Sequence, residues 1–218
     1  MLSYFSDHQS EIWQLLWSHA KLSVIPVIIG LAIALPLGWI AARYKWVYPP
    51  LISIAGLLYT IPSLVLFVTM PGILGTRILD VVNVVVALTV YAIALLVRVV
   101  ADGLASVPFE AKQAATAMGY KPLGRFFAVE LPLAVPVIAA GVRVATVSNV
   151  SLVAVATFIG TQQLGTLFDE GLNAAPGQQT SILLIGIILA VLLALVLDFA
   201  IQFGTRALTP WRRAVAKP

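Results

Sequence analysis

The chain has 218 residues and no cysteine. Disulfides and thiolate metal sites are therefore excluded. Histidine is almost missing too: only His8 and His19 occur, both ahead of the first long apolar run, so no metal site is expected. Charge is scarce. Asp, Glu, Lys and Arg make up 10% of the residues, against 61% hydrophobic. A soluble domain of this length needs about 25% charged residues to coat its surface. No polar stretch is long enough to separate two domains, so one unit over residues 1–218 is expected. The first residues lack the basic start and short apolar core of a cleaved secretion signal. Targeting is then expected to rest on the first apolar run.

What the chain has instead is apolar length. Five segments stand out, at about residues 22–42, 50–70, 81–101, 133–158 and 180–203. Runs near 20 residues are what crosses a bilayer as helix. The segments lack the alternation of barrel strands, and backbone groups in lipid must bond within their own segment. The fold class expected is an all-α integral membrane protein with five spans. The cations set its orientation. Ten Lys and Arg follow the first, third and fifth runs, including Arg43, Lys45, Lys112, Lys121, Arg125 and the tail residues Arg212, Arg213 and Lys217, against only Lys21 and Arg77 on the other side. Basic loops stay inside. The N-terminus is expected outside, and the C-terminus and the 102–131 loop in the cytoplasm. The net charge of +4 is thus explained by topology, and no nucleic-acid partner is expected. Residues 11–20, with Ile12, Trp13, Leu15, Leu16 and Trp17, are expected to form a short helix lying in the membrane interface.

The 102–131 loop is the most informative part. Ser106 is suited to cap a helix, and Pro108 to its first turn. Glu110 falls where the helix dipole favours an anion. Ala111, Ala114, Ala115 and Met118 share one face at helical spacing. Gly119 is a natural left-handed stop. Pro122 can start a second short helix through Phe126 and Phe127, and Pro132 opens the fourth run. This predicts a helix–turn–helix on the inner membrane face, with a small-residue surface that permits close approach of another body. The loop also contains Gly119-Tyr120-Lys121-Pro122-Leu123-Gly124-Arg125-Phe126. A nucleotide-binding P-loop needs Lys and Ser or Thr where Arg125 and Phe126 stand, and a preceding strand. No ATP chemistry is expected from this chain.

Gln113-Ala114-Ala115, Gly119 four residues on, and Val129-Glu130-Leu131-Pro132 resemble the EAA loop of binding-protein-dependent ABC importer permeases. The spacing fits throughout. Gln113 replaces the usual Glu, which removes a charge, and Val129 replaces Ile. Thr60-Ile61-Pro62-Ser63-Leu64, Ala140-Gly141-Val142-Arg143, Phe158-Ile159-Gly160, Leu164-Gly165 and Leu208-Thr209-Pro210 are similar to the osmoprotectant branch, whose cargoes are glycine betaine, carnitine and choline. Where that branch carries a Gly-rich run, this chain has Gly160-Thr161-Gln162-Gln163-Leu164-Gly165. The resemblance implies the type I importer permease fold, of the kind found in methionine importers, in a bacterial inner membrane. It implies a coupling helix around Glu110, Ala111, Gln113, Ala114, Ala115, Met118, Gly119, Leu131 and Pro132 that docks on a cytoplasmic ATPase. It implies a second permease subunit, identical or related, and an extracytoplasmic binding protein. ATP and Mg would sit on the ATPase, with no cofactor on this chain. Rival readings are a permease for an amino acid or a sulfonate, and, from another class, an ATPase-independent channel or secondary carrier. A membrane enzyme would need intramembrane His, Cys or paired carboxylates, which are missing.

Within the spans, Arg143 lies about 16 Å of helix past Pro132. A charge there is costly unless paired. Asp198, the acid in the fifth run, is the expected partner. Arg98 and Asp102, four residues apart, read as a local pair. Aromatic faces hold quaternary ammonium groups. Tyr59, Phe67 and Tyr91 are therefore candidates for a solute path, with Ser148, Asn149 and Ser151 as hydrogen-bonding groups or helix–helix contacts. The outer 161–179 loop carries Asp169 and Glu170 and no cation, and can meet a binding protein.

Overall fold

The structure is a computed structural model and describes residues 2–211. Arg212, Arg213 and Lys217, counted above as inner cations, lie outside the described residues. Those described are helical, without a strand.

Helix α1 (Leu2–Asp7) leads into α2 (Gln9–Arg43), 35 residues without a break. The separate interfacial helix expected over residues 11–20 does not exist. No glycine or proline interrupts the chain between Gln9 and Pro26, so the segment continues straight into the first span. Its Ile12 and Leu15 are buried against Leu164, Leu167, Ile182 and Ile185, while Trp13 and Trp17 stay exposed. At 1.5 Å per residue α2 is about 52 Å long, well beyond a hydrocarbon core of about 30 Å.

The second expected span is two helices, α3 (Tyr48–Thr60) and α4 (Ser63–Leu74), bent by 101°. Pro62 explains the break. It offers no N–H to α3 and forces Ile61 into extended backbone, with φ −64° and ψ 128°. The Ile61 carbonyl freed by the break accepts the Tyr91 hydroxyl from α5 (Val81–Ala105). The remaining elements are α6 (Phe109–Ala117), α7 (Pro122–Arg125), a π-helical turn (Phe126–Glu130), α8 (Leu131–Val155), a 3-10 turn (Ala156–Ile159), α9 (Thr166–Asn173) and α10 (Gln179–Leu208). Among the described residues α2, α5, the stretch Pro122–Ile159 and α10 are each long and apolar enough to cross a membrane, and the bent pair makes a fifth if counted as one.

Helix α5 is the axle: α2, α3, α4 and α8 all pack on it. The α2 seam is lined by Gly30, Ala34 and Gly38, one turn apart. A Cβ on Gly30 would stand 2.6 Å from the Ala92 Cβ, and one on Gly38 2.6 Å from Val100 Cγ1. The absence of side chains there is what lets the two helices touch, since small residues replace the hydrophobic drive that lipid removes. One core cluster holds Ala34, Val97, Val100, Leu104 and Ile138; a second holds Phe67, Leu88, Tyr91 and Val153. Helix α10 packs on α8 and α9 and leaves a broad apolar face outward.

Candidate functional site

The loop between α5 and α8 is built as a hook. Ser106, expected to cap α6, instead closes α5: its hydroxyl donates to the Gly103 carbonyl at 2.7 Å. Pro108 takes the cap position of α6, where a missing N–H costs nothing. Glu110 lies in the first turn, exposed. Gly119 has φ +85° and ends the helix in left-handed backbone.

The face expected to hold Ala111, Ala114, Ala115 and Met118 together is divided. Ala111 and Ala115, one turn apart, turn toward the bundle, with Ala115 only 1% exposed. Ala114 and Met118 form the neighbouring stripe and turn to solvent, Met118 at 70% exposure, with Gln113 beside them. Phe109 at 67%, Leu123 and Phe127 are exposed on the same loop. Exposed large apolar side chains on a short polar loop are a candidate interaction surface.

Three polar contacts hold the hook. Lys112 Nζ donates to the Leu104 carbonyl at 2.9 Å. Arg125 donates from NH1 to Thr116 Oγ1 at 2.9 Å and from Nε to Glu130 Oε1 at 2.6 Å. Glu130 is buried. Sequence reasoning missed this clamp, because residues five apart on an α-helix diverge by about 140°. The π-helical turn, with its wider i→i+5 ladder, brings Arg125 and Glu130 onto one side. Leu131 and Pro132 follow directly as the start of α8, so the hook is continuous with a membrane-crossing helix.

Deeper in the bundle, Arg143 and Asp198 meet. Nε donates to Oδ1 at 2.6 Å and NH2 to Oδ2 at 2.9 Å, and Gln202 Nε2 donates to Oδ2 at 2.7 Å. This ties α8 to α10. Arg98 and Asp102 lie 3.7 Å apart near the C-terminal end of α5, both exposed.

The candidate path residues separate. Phe67 is fully buried in the core, packed in α4, which the bend at Pro62 folds back. Tyr91 is buried with its hydroxyl committed to Ile61. Asn149 is buried and donates to the Ser23 carbonyl at 3.3 Å, a contact between α8 and α2. Ser151 is exposed on α8. Tyr59 alone of these faces a large groove, of about 650 Å³, between α3, α5 and α8.

One buried site had no signal in the sequence. His19, completely buried in α2, has Nδ1 2.9 Å from Gln163 Oε1 and Nε2 2.9 Å from the Val150 carbonyl. Gln163, also fully buried, accepts from the Gly165 N–H and donates to the Ala154 carbonyl at 3.3 Å. Gln163, one of the residues that depart from the Gly-rich run, thus locks the loop before α9 to α2 and α8.

The described residues thus form a bundle of helices long and apolar enough to cross a membrane, with a clamped hook whose apolar side chains are exposed. Residues 34–210 match the family described as binding-protein-dependent transport system inner membrane component, and the chain belongs to that family. It is 33% identical over 212 residues to the osmoprotectant import permease protein OsmW of Salmonella typhimurium, covering 96% of this chain and 97% of that one. It is 30% identical over 211 residues to the glycine betaine/carnitine/choline transport system permease protein OpuCD of Bacillus subtilis, covering 97% and 90%. The fold is similar to a chain of the MetNI methionine ABC transporter in an inward-facing conformation, with TM-score 0.76, 23% identity, and 93% and 98% coverage.

Proposed function

We propose that this chain carries a quaternary-ammonium osmoprotectant, such as glycine betaine, choline or carnitine, across the inner membrane as the non-catalytic half of an ATP-driven importer. The observation that carries the reading is the clamped α6 hook with Phe109, Ala114 and Met118 turned to solvent. A cytoplasmic ATPase binds ATP and Mg and receives the hook around Glu110, Ala111, Gln113, Ala114, Ala115, Met118 and Gly119. When two ATPase subunits close, the hooks of two permease chains are carried together, and α8, continuous with the hook, moves with them. Hydrolysis resets the pair. A binding protein delivers solute on the outer side, where α9 presents Asp169 and Glu170. The N-terminus then lies outside and the C-terminus inside. The named relatives, over 90% or more of their length, support the solute class.

The test is uptake of labelled glycine betaine, choline and carnitine into proteoliposomes holding this permease, with its ATPase and binding protein added in turn. Accumulation that needs all three components and ATP is expected. Transport by the permease alone would contradict the reading.

A further inference from the structure

We propose that the groove between α3, α5 and α8 is a solute site that favours an onium bearing a carboxylate over an onium without one, with Arg98 making the distinction. The proposal rests on the osmoprotectant reading above and adds a site and a selectivity to it.

The groove runs along the inner halves of its three helices, from Asp102 and Val137 near their cytoplasmic ends to Tyr59 and Val144 at mid-depth. Its walls are mostly small and apolar, with Ala55, Gly56, Ala140 and Gly141 leaving the space open. Three polar side chains reach it: Tyr59 at the deep end, and Arg98 and Asp102 at the mouth. Tyr59 meets the Tyr91 ring in a perpendicular contact, with centroids 5.7 Å apart. One such contact covers at most one face, and Tyr59 remains 44% exposed. Behind it the space between Tyr59, Tyr91, Ser148 and Asn149 shrinks to about 10 Å³, no more than a water's worth, so the groove ends at the ring. An onium accepts and donates no strong hydrogen bond; an aromatic face at the end of an apolar groove is what holds it.

At the mouth, Arg98 Nε is 3.7 Å from Asp102, longer than a hydrogen bond. Asp102 Oδ1 is taken by the Tyr48 hydroxyl at 2.6 Å. The Tyr48 side chain also interacts with Arg98, and of the five guanidinium N–H groups the others remain for a carboxylate. Tyr91 and Arg98 are seven residues apart on α5, about 10 Å of helix axis from the deep end toward the mouth. A zwitterion with its cation on Tyr59 and its carboxylate toward Arg98 satisfies both ends. Choline offers the second end only a hydroxyl.

The experiment uses the assembled permease–ATPase complex without nucleotide or binding protein, and measures equilibrium binding of labelled glycine betaine, carnitine and choline. The wild type is expected to bind glycine betaine and carnitine roughly tenfold more tightly than choline, the effect of one charge-assisted hydrogen bond. Arg98→Gln brings the two zwitterions down to the choline level and leaves choline unchanged; Arg98→Lys keeps part of the preference. Tyr59→Leu weakens all three, and Tyr59→Phe none. ATP-driven uptake with the binding protein is measured on the same wild-type sample. Uptake without saturable binding to the complex, or with a preference that Arg98→Gln leaves intact, overturns the site while the import reading stands. Absence of uptake for all three solutes overturns the import reading itself.

Discussion

Asp198 sits on a helix that faces lipid along much of its length, yet its carboxylate takes three hydrogen bonds, two from Arg143 and one from Gln202. Removing one partner of such a pair strands the other charge in a poorly solvated place, whereas neutralising both does not. Asp198→Asn is expected to lower the thermal stability of the detergent-solubilised protein, and the double variant Arg143→Gln/Asp198→Asn to recover part of the loss. Equal or additive losses in a thermal unfolding series would show that the two side chains act separately. On α9, Glu170 accepts the Tyr4 hydroxyl at 3.3 Å. Burial pushes its carboxyl above the usual glutamate range; the Tyr4 bond opposes this and the Glu11 charge adds to it. A raised folded value means that the folded form holds the proton more tightly. Its contribution to stability is complete below the ordinary glutamate value and fades as pH climbs through the raised one. Amide exchange over residues 166–173 is therefore expected to slow as pH falls through that window, after correction for intrinsic exchange. Tyr4→Phe, which removes the bond favouring the carboxylate, shifts the change to higher pH.

Elements show where pattern reading stops. Apolar length marked α5, α8 and α10 to within about five residues, because that pattern is set by lipid and not by neighbours, but it began the first span at residue 22, where α2 starts at Gln9. It also merged α3 and α4 into one straight span, since Ile61-Pro62 sits in a hydrophobic run that hides the 101° bend. Gly119 was legible for a local reason: only glycine adopts φ +85° without strain. Nothing lies within 4 Å of a Cβ placed there, so Gly119→Val would bring backbone strain without a clash, costing about 1–2 kcal/mol. The variant is expected to assemble poorly with its ATPase and to lose uptake; wild-type values for both would remove the docking role of α6. The lock between α2 and the outer loop was not legible. His19 and Gln163 are 144 residues apart, and neither type announces a buried partner. His19→Ala removes two buried contacts, to the Val150 carbonyl and to Gln163 Oε1, although Gln163 keeps Gly165 and Ala154, a loss of about 1–2 kcal/mol. A lower unfolding temperature is the expected readout, and an unchanged one would show that water replaces the ring.

At the scale of the molecule, the two ends of the bundle are built differently. The end that carries α9 is closed by buried polar contacts among α2, α8 and the loop before α9. The opposite end carries the hook, its Arg125 clamp and the open groove. That asymmetry suits a body pushed from one side. The central claim is that the α6 stripe faces the cytoplasm and is covered by the ATPase. The chain has no native cysteine, so single thiols report cleanly. Met118→Cys and Asp169→Cys are labelled with a membrane-impermeant maleimide in right-side-out and inside-out vesicles, with and without ATPase. The account predicts that Cys at 118 reacts only in inside-out vesicles and is protected when the ATPase is bound, and that Cys at 169 reacts only in right-side-out ones. Reaction at position 118 from the outer side, or labelling there that bound ATPase does not change, would contradict it.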